Sequence, residues 1–96
     1  MRLVWSAPAL ADREQIFDYL EAENPRAAIA IDERISAHMG LLMQFPEHGR
    51  PGRIEETRES VINRTPYILA YRIHDKAIII LRILHGAQLW PDPGSV

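Results

Sequence analysis

Apolar and polar positions follow two different rhythms along the 96 residues. In the second half, two dense apolar runs, Tyr67 to Ile73 and Ile78 to Leu84, flank the polar break His74-Asp75-Lys76-Ala77. Both are rich in β-branched, aromatic and leucine side chains, which suits strands better than helices. With Asp75 and Lys76 as the loop, the runs pair as an antiparallel hairpin, although Asp-Lys is a weaker turn signal than Asn-Gly. This register sets Ile73 opposite Ile78, Tyr71 opposite Ile80 and Leu69 opposite Arg82. Ile68, Ala70, Arg72, Ile79, Leu81 and Ile83 fall on the other face. Both faces read as largely apolar, so both are expected to be covered. A short chain can shield one face with its own helices, and the second is expected to need a partner.

The first half has helical spacing. Leu3-Val4-Trp5 is a short strand candidate, and Ser6 then caps a helix from about Ala7 to Glu21 with Pro8 in its first turn. Ala9, Leu10, Ile16, Phe17 and Leu20 lie on one side, with most of the acids on the other. Asn24-Pro25 ends this helix and starts a second, from Pro25 to about Gln44 or Phe45. Ala28, Ile31, Ile35, Met39 and Leu42 form its apolar stripe, with His38 on the flank and Gly40 inside the pattern. The short connection makes the pair an antiparallel helical hairpin. Pro46 to Gly52 is a breaker-rich loop, and a strand is expected around Thr57 to Ile62, with charges that suit an edge. Arg64-Thr65-Pro66 turns into the hairpin. The predicted order is β-α-α-β-β-β: an α+β fold with a helical hairpin on one face of a small, mainly antiparallel sheet.

Length limits the chain to one small domain spanning residues 1–96. There is no cysteine, which removes disulfide frameworks and thiolate metal sites. No apolar run is longer than that of Ala77 to Leu81, far too short to span a bilayer, and the N-terminal stretch lacks the apolar core of a secretory leader. The four histidines show no paired spacing that suits a metal, and no phosphate-binding glycine loop or nucleophile elbow is present. No cofactor is expected. The net charge of −2 argues against generic nucleic-acid binding. The charge is uneven: residues 1 to 49 carry four arginines and eight acids, and residues 50 to 96 carry seven bases and five acids. Ten of the eleven bases are arginine, the better residue for bidentate contact with carboxylate or phosphate.

An ordered set of short motifs resembles one family. Pro8, Ala9, Asp12, Ile16 and Leu20 are followed by Asn24-Pro25, Ala27 and Ala28, then by Pro46, Gly49 and Arg50. Tyr67, Tyr71-Arg72-Ile73, His85-Gly86-Ala87 and Trp90-Pro91 complete the set. The chain from Trp5 to Pro91 is similar in these features to the RelE/ParE superfamily of toxins from bacterial type II toxin–antitoxin modules. The resemblance implies a cytoplasmic growth-inhibiting toxin of a plasmid-stabilisation type of system. It also implies neutralisation by a ParD-like antitoxin whose C-terminal segment wraps the toxin, with no membrane partner and no sequence-specific nucleic-acid binding.

Branches of this superfamily differ in target: ParE-like members inhibit DNA gyrase, and RelE-like members cut mRNA on the ribosome. Cutting RNA through the 2′-hydroxyl requires a base, an acid and cations that steady the phosphorane charge. The candidates here are His85, Arg72, Arg82 and Tyr71, of which His85 alone ordinarily titrates near neutral pH. Gln88 stands where RNA-cutting relatives commonly carry arginine, and the only lysine, Lys76, lies in a turn. The nuclease set reads as incomplete, so a ParE-like toxin that acts by binding is preferred. The alternatives are a ribosome-dependent endonuclease and a non-toxic binding module. Candidates for target or antitoxin contact are Arg58, Arg72, Arg82, His85, Gln88 and Trp90. Four of them have a structural alternative: Arg72 and Arg82 as ion-pair partners of Glu55, Glu56 or Glu59, His85 as a strand-end histidine, Trp90 as a core plug. Trp5 is expected in the core.

Overall fold

A computed structural model of the chain describes residues 1–86 and 88–91; Ala87 of the family-like motif lies outside them. Strand β1 (Arg2–Trp5) ends at Ser6, whose hydroxyl oxygen accepts a hydrogen bond from Ala9 N–H and so caps α1 (Ala7–Glu23). The same hydroxyl donates to the Leu81 carbonyl at 3.0 Å, which ties the start of the helix to the sheet. Asn24 serves two helices. Its N–H donates to the Leu20 carbonyl at the end of α1, and its side chain accepts from Ala27 N–H at the start of α2 (Pro25–Gln44). Two helix ends are satisfied by one residue, so the connection is as short as expected.

The sheet has five strands where four were expected. β2 (Arg50–Pro51), β3 (Arg58–Val61), β4 (Tyr67–His74) and β5 (Ala77–His85) join β1 in the order β1-β5-β4-β3-β2. β1 runs parallel to β5, and the other neighbours are antiparallel. β2 is two residues long and one is proline, so it carries no alternation to read; it nevertheless moves β3 off the edge.

The β4–β5 turn is the two-residue loop that the sequence suggested. Asp75 and Lys76 have φ of 48° and 57°, the left-handed pair that a two-residue hairpin of the right twist requires. Ile73 faces Ile78 and Tyr71 faces Ile80, as expected, but the register then slips. Arg82 pairs with Ala70, and Ile83 rather than Arg82 pairs with Leu69, because Leu81 is inserted as a bulge. One extra residue reverses the facing of everything after it. Ile83 therefore joins Leu69, Tyr71, Ile78 and Ile80 in the core under the helices.

The helices supply Ala9, Ile35, Met39 and Leu42 to that core, and Ile16, Ile31 and the half-buried Trp5 pack against it. Two side chains depart from the helical reading. Leu10 is exposed, since Ala9 takes the inward position, and His38 is buried rather than flanking the stripe, with Nε2 2.8 Å from Ser60 Oγ on β3.

The far face of the sheet is not left bare. Glu59 is buried opposite Ala70, where its carboxylate accepts from Arg53 N–H and pairs with the Arg53 guanidinium at 3.3 Å. Arg53 also donates to the Gln88 carbonyl, and Gly86 N–H donates to the Pro66 carbonyl. The segment before β3 and the segment after β5 are thereby tied together over this side. Ile68, Ala70 and Leu84 are buried with no second chain. The expectation of a whole uncovered face is corrected: much of this side is closed, while Val4, Ile79 and Leu81, and Val61 at the end of β3, stay open in part or more.

Candidate functional site

The bulge at Leu81 places Arg82 where two clefts meet. One, of ≈ 460 Å³, lies between α1 and the end of the hairpin and is lined by Asp12, Tyr19, Tyr67, Arg82, His85 and Gln88 among others. The other, of ≈ 480 Å³, lies on the far side and includes Ile54, Glu55, Arg72, Leu81, Arg82 and Trp90. Every candidate except Arg58 and Tyr71 lies on one of these two clefts.

Arg82 is held in place from α1. Its Nε and Nη2 donate to the two Asp12 oxygens at 2.6 and 3.0 Å, and Asp12 Oδ2 also accepts from Ile83 N–H at 2.9 Å. A bidentate guanidinium–carboxylate pair of this kind fixes both geometry and charge. It also neutralises the cation that a phosphorane would need. Glu55, Glu56 and Glu59 are therefore not the partners of Arg82. Glu59 is paired with Arg50 and Arg53, and the Arg72 guanidinium has no hydrogen bond or ion pair among the described residues.

His85 sits edge-on to Tyr67, with ring centroids 5.9 Å apart at 88°. The His85 backbone N–H donates to Gln88 Oε1 at 3.2 Å. Burial, and next the neighbouring Tyr19 phenol, push the Tyr67 hydroxyl above its ordinary value, so it stays protonated at neutral pH.

The other candidates are dispersed. Arg72 pairs with Ile79 and Tyr67 pairs with His85, which puts Arg72 and His85 five positions apart along β4, about 17 Å. Tyr71 is fully buried, and its hydroxyl accepts from Gly49 N–H and donates to the Pro46 carbonyl, so it serves the core and not a substrate. Arg58 donates to the Glu47 and Gly49 carbonyls and holds the same loop. Trp90 is half-buried at the rim of the far cleft. Among the described residues no group of three or more histidines and carboxylates is arranged to hold a metal ion.

The sequence reading missed what Asp12 does. The signal was its position: Asp12 follows the buried Ala9 by three residues and precedes Ile16 by four, so an acid lies on the packed side of α1. A third cleft, ≈ 580 Å³ around Met1, Phe45, Pro46, His48 and Ile73, holds none of the candidates.

A profile described as the ParE toxin of the type II toxin-antitoxin system parDE matches residues 3–90. The chain belongs to this toxin family. It is 40% identical over 91 residues to the putative toxin Y4kP of Sinorhizobium fredii, covering 95% of this chain and 94% of that one. It is 33% identical over 88 residues to toxin RelE2 of Caulobacter vibrioides, covering 92% and 98%. Among solved structures, the chromosomal ParDE toxin–antitoxin system of P. aeruginosa matches with a TM-score of 0.81 at 30% identity, over 88% of this chain and 95% of that one. The RelBE2 toxin–antitoxin complex of Mycobacterium tuberculosis matches with a TM-score of 0.62 at 26% identity, over the same shares. Membership in the ParE toxin family therefore rests on nearly the whole chain, and the α+β fold is that of both ParDE and RelBE proteins.

Proposed function

We propose that this member of the ParE toxin family arrests growth by binding DNA gyrase in the cytoplasm and is neutralised by a cognate antitoxin, without chemistry of its own. One observation carries the preference for binding over RNA cleavage: the residues that a nuclease would use are committed or separated. Arg82 is neutralised by Asp12, the Tyr71 hydroxyl is enclosed, and Arg72 is about 17 Å from His85. General acid–base catalysis needs its groups within hydrogen-bond reach of one reacting centre. The antitoxin is supported by the solved relatives, which are described as toxin–antitoxin systems.

Supercoiling by purified gyrase is expected to fall when the protein is added, and induction without the antitoxin is expected to stop growth. Unchanged supercoiling, together with new mRNA ends during translation that vanish in His85→Ala, would replace this reading with the endonuclease. Induction with no growth defect would leave only a binding module.

A further inference from the structure

A small cleft between α2 and the β3–β4 turn gathers cations without acids. Arg34, Ala37, His38 and Leu41 share one stripe of α2 by their helical spacing. The turn brings Asn63 and Arg64 against that stripe, and together these residues line a cleft of ≈ 220 Å³. The turn is fixed: Thr65 N–H donates to the Ile62 carbonyl at 3.2 Å, and the Thr65 hydroxyl donates to the same oxygen at 2.8 Å. Arg34 is fixed to the turn, with Nη1 donating to the Arg64 carbonyl at 3.0 Å. The other Arg34 donors and the whole Arg64 guanidinium have no hydrogen bond or ion pair among the described residues. No carboxylate lines the cleft, and Ala30, Ile31, Ala37 and His38 stand three and four residues from Arg34, so α2 offers it no acid. Arg64 has φ of 62°, the left-handed region that glycine or asparagine adopts with less strain. The turn thus keeps a long cation where backbone shape favours glycine, and strain of this kind points to a function.

We infer that this cleft binds the terminal phosphate of a small molecule. Donors come from two walls, Arg34 from α2 and Arg64 with Asn63 from the turn. A planar carboxylate is satisfied by one guanidinium fork, whereas a phosphate monoester presents three terminal oxygens and can take both. Two like charges with no acid between them repel, and a dianion removes that repulsion. Volume sets the size of the occupant. The cleft holds about seven times the volume of one liquid water, enough for a phosphoryl group and a few attached carbons. Those carbons would lie along Ala37 and Leu41, which is 37% exposed. His38 is the buried member of the cleft, with Nε2 engaged by Ser60 Oγ. A nucleic-acid strand fits less well. Its charge is continuous and calls for a track of cations, and this cleft offers two arginines on a chain of net charge −2.

The test uses the full chain, with inorganic phosphate and adenosine monophosphate as probes, titrated by calorimetry in chloride buffer at constant ionic strength. Both are expected to bind saturably at one site. Arg64→Gly is expected to weaken binding at least tenfold, while the free variant melts no lower than the wild type because glycine holds the turn. That split separates a ligand site from a structural role, which would lower the midpoint. Arg34→Lys should keep part of the affinity that Arg34→Gln loses. Arg26→Glu, an exposed reversal in the first turn of α2, should leave binding unchanged. Circular dichroism checks that each variant is folded, and Arg64→Asn, which also tolerates this φ, replaces the glycine variant if it is not. Absence of saturable binding by both probes overturns the inference, as does an equal affinity in Arg64→Gly and the wild type; either result leaves the toxin reading standing. A short DNA duplex that binds through Arg64 while both probes fail would overturn it in favour of a nucleic-acid backbone.

Discussion

One buried hydroxyl fixes the loop between the helices and the sheet. Tyr71 Oη takes a hydrogen from Gly49 N–H at 2.9 Å and gives its own to the Pro46 carbonyl at 2.7 Å. A Cβ on Gly49 would stand 2.6 Å from that oxygen and 3.1 Å from the Glu59 carbonyl, so this glycine is required by close approach. Tyr71→Phe keeps the ring but strands both loop groups, at about 1–3 kcal/mol for each that stays dry. Chemical denaturation should show a loss of about 2–4 kcal/mol, and a loss below about 0.5 kcal/mol would mean that water replaces the hydroxyl. His38 gives a second residue-scale prediction. Burial, and then the nearby His48, lower its pKa below the ordinary 6.5, so the fold prefers the neutral ring. As pH falls below 6.5 the unfolded chain takes up this proton first. Stability is therefore full above 6.5 and declines with acid, by at most about 1.4 kcal/mol per pH unit for one proton. Denaturant midpoints from neutral to mildly acidic pH should fall less in His38→Gln, which lacks the titration; parallel curves would show that the carboxylates dominate.

The β4–β5 hairpin shows what each element disclosed in advance. Its two runs, its loop and the first half of its register were legible, because alternation and the polar break determine them. The bulge was not: Leu81 is as apolar as its neighbours, so nothing in the pattern marks it as the extra residue, and the facing of Arg82 and Ile83 was misread from there on. The helical hairpin was legible to within two residues because Ser6 and Asn24 are explicit caps. β2 was invisible, since two residues carry no period. Of the candidate site, the sequence named residues but not their neighbours. Arg82, His85 and Gln88 do meet in one groove, but the Asp12 clasp that decides what Arg82 can do spans seventy residues of sequence. The hairpin also yields a prediction at this scale. Asp75 and Lys76 both hold positive φ, which costs residues with a Cβ more than it costs asparagine or glycine. Replacing the pair with Asn-Gly should stabilise the protein by about 0.5–1 kcal/mol, partly offset by the freer unfolded chain. Calorimetric melting measures this, and destabilisation would mean that the Asp75 or Lys76 side chain has a role in the turn beyond backbone shape.

At the scale of the molecule, a sheet covered by two helices on one side and by its own loop and C-terminal chain on half of the other leaves a limited opening. A domain of 96 residues buries a modest share of its surface, so occupation of that opening should register strongly in its stability. A partner that binds only the folded state adds RT ln(1 + [L]/Kd), about 2.7 kcal/mol when it is present at a hundredfold excess over Kd. For a domain of this size each kcal/mol moves the melting midpoint by about 4–8 °C, so the antitoxin should raise it by about 10–20 °C. A midpoint that does not move at that excess would mean that the antitoxin does not bind this fold, and the neutralising partner would have to be sought elsewhere.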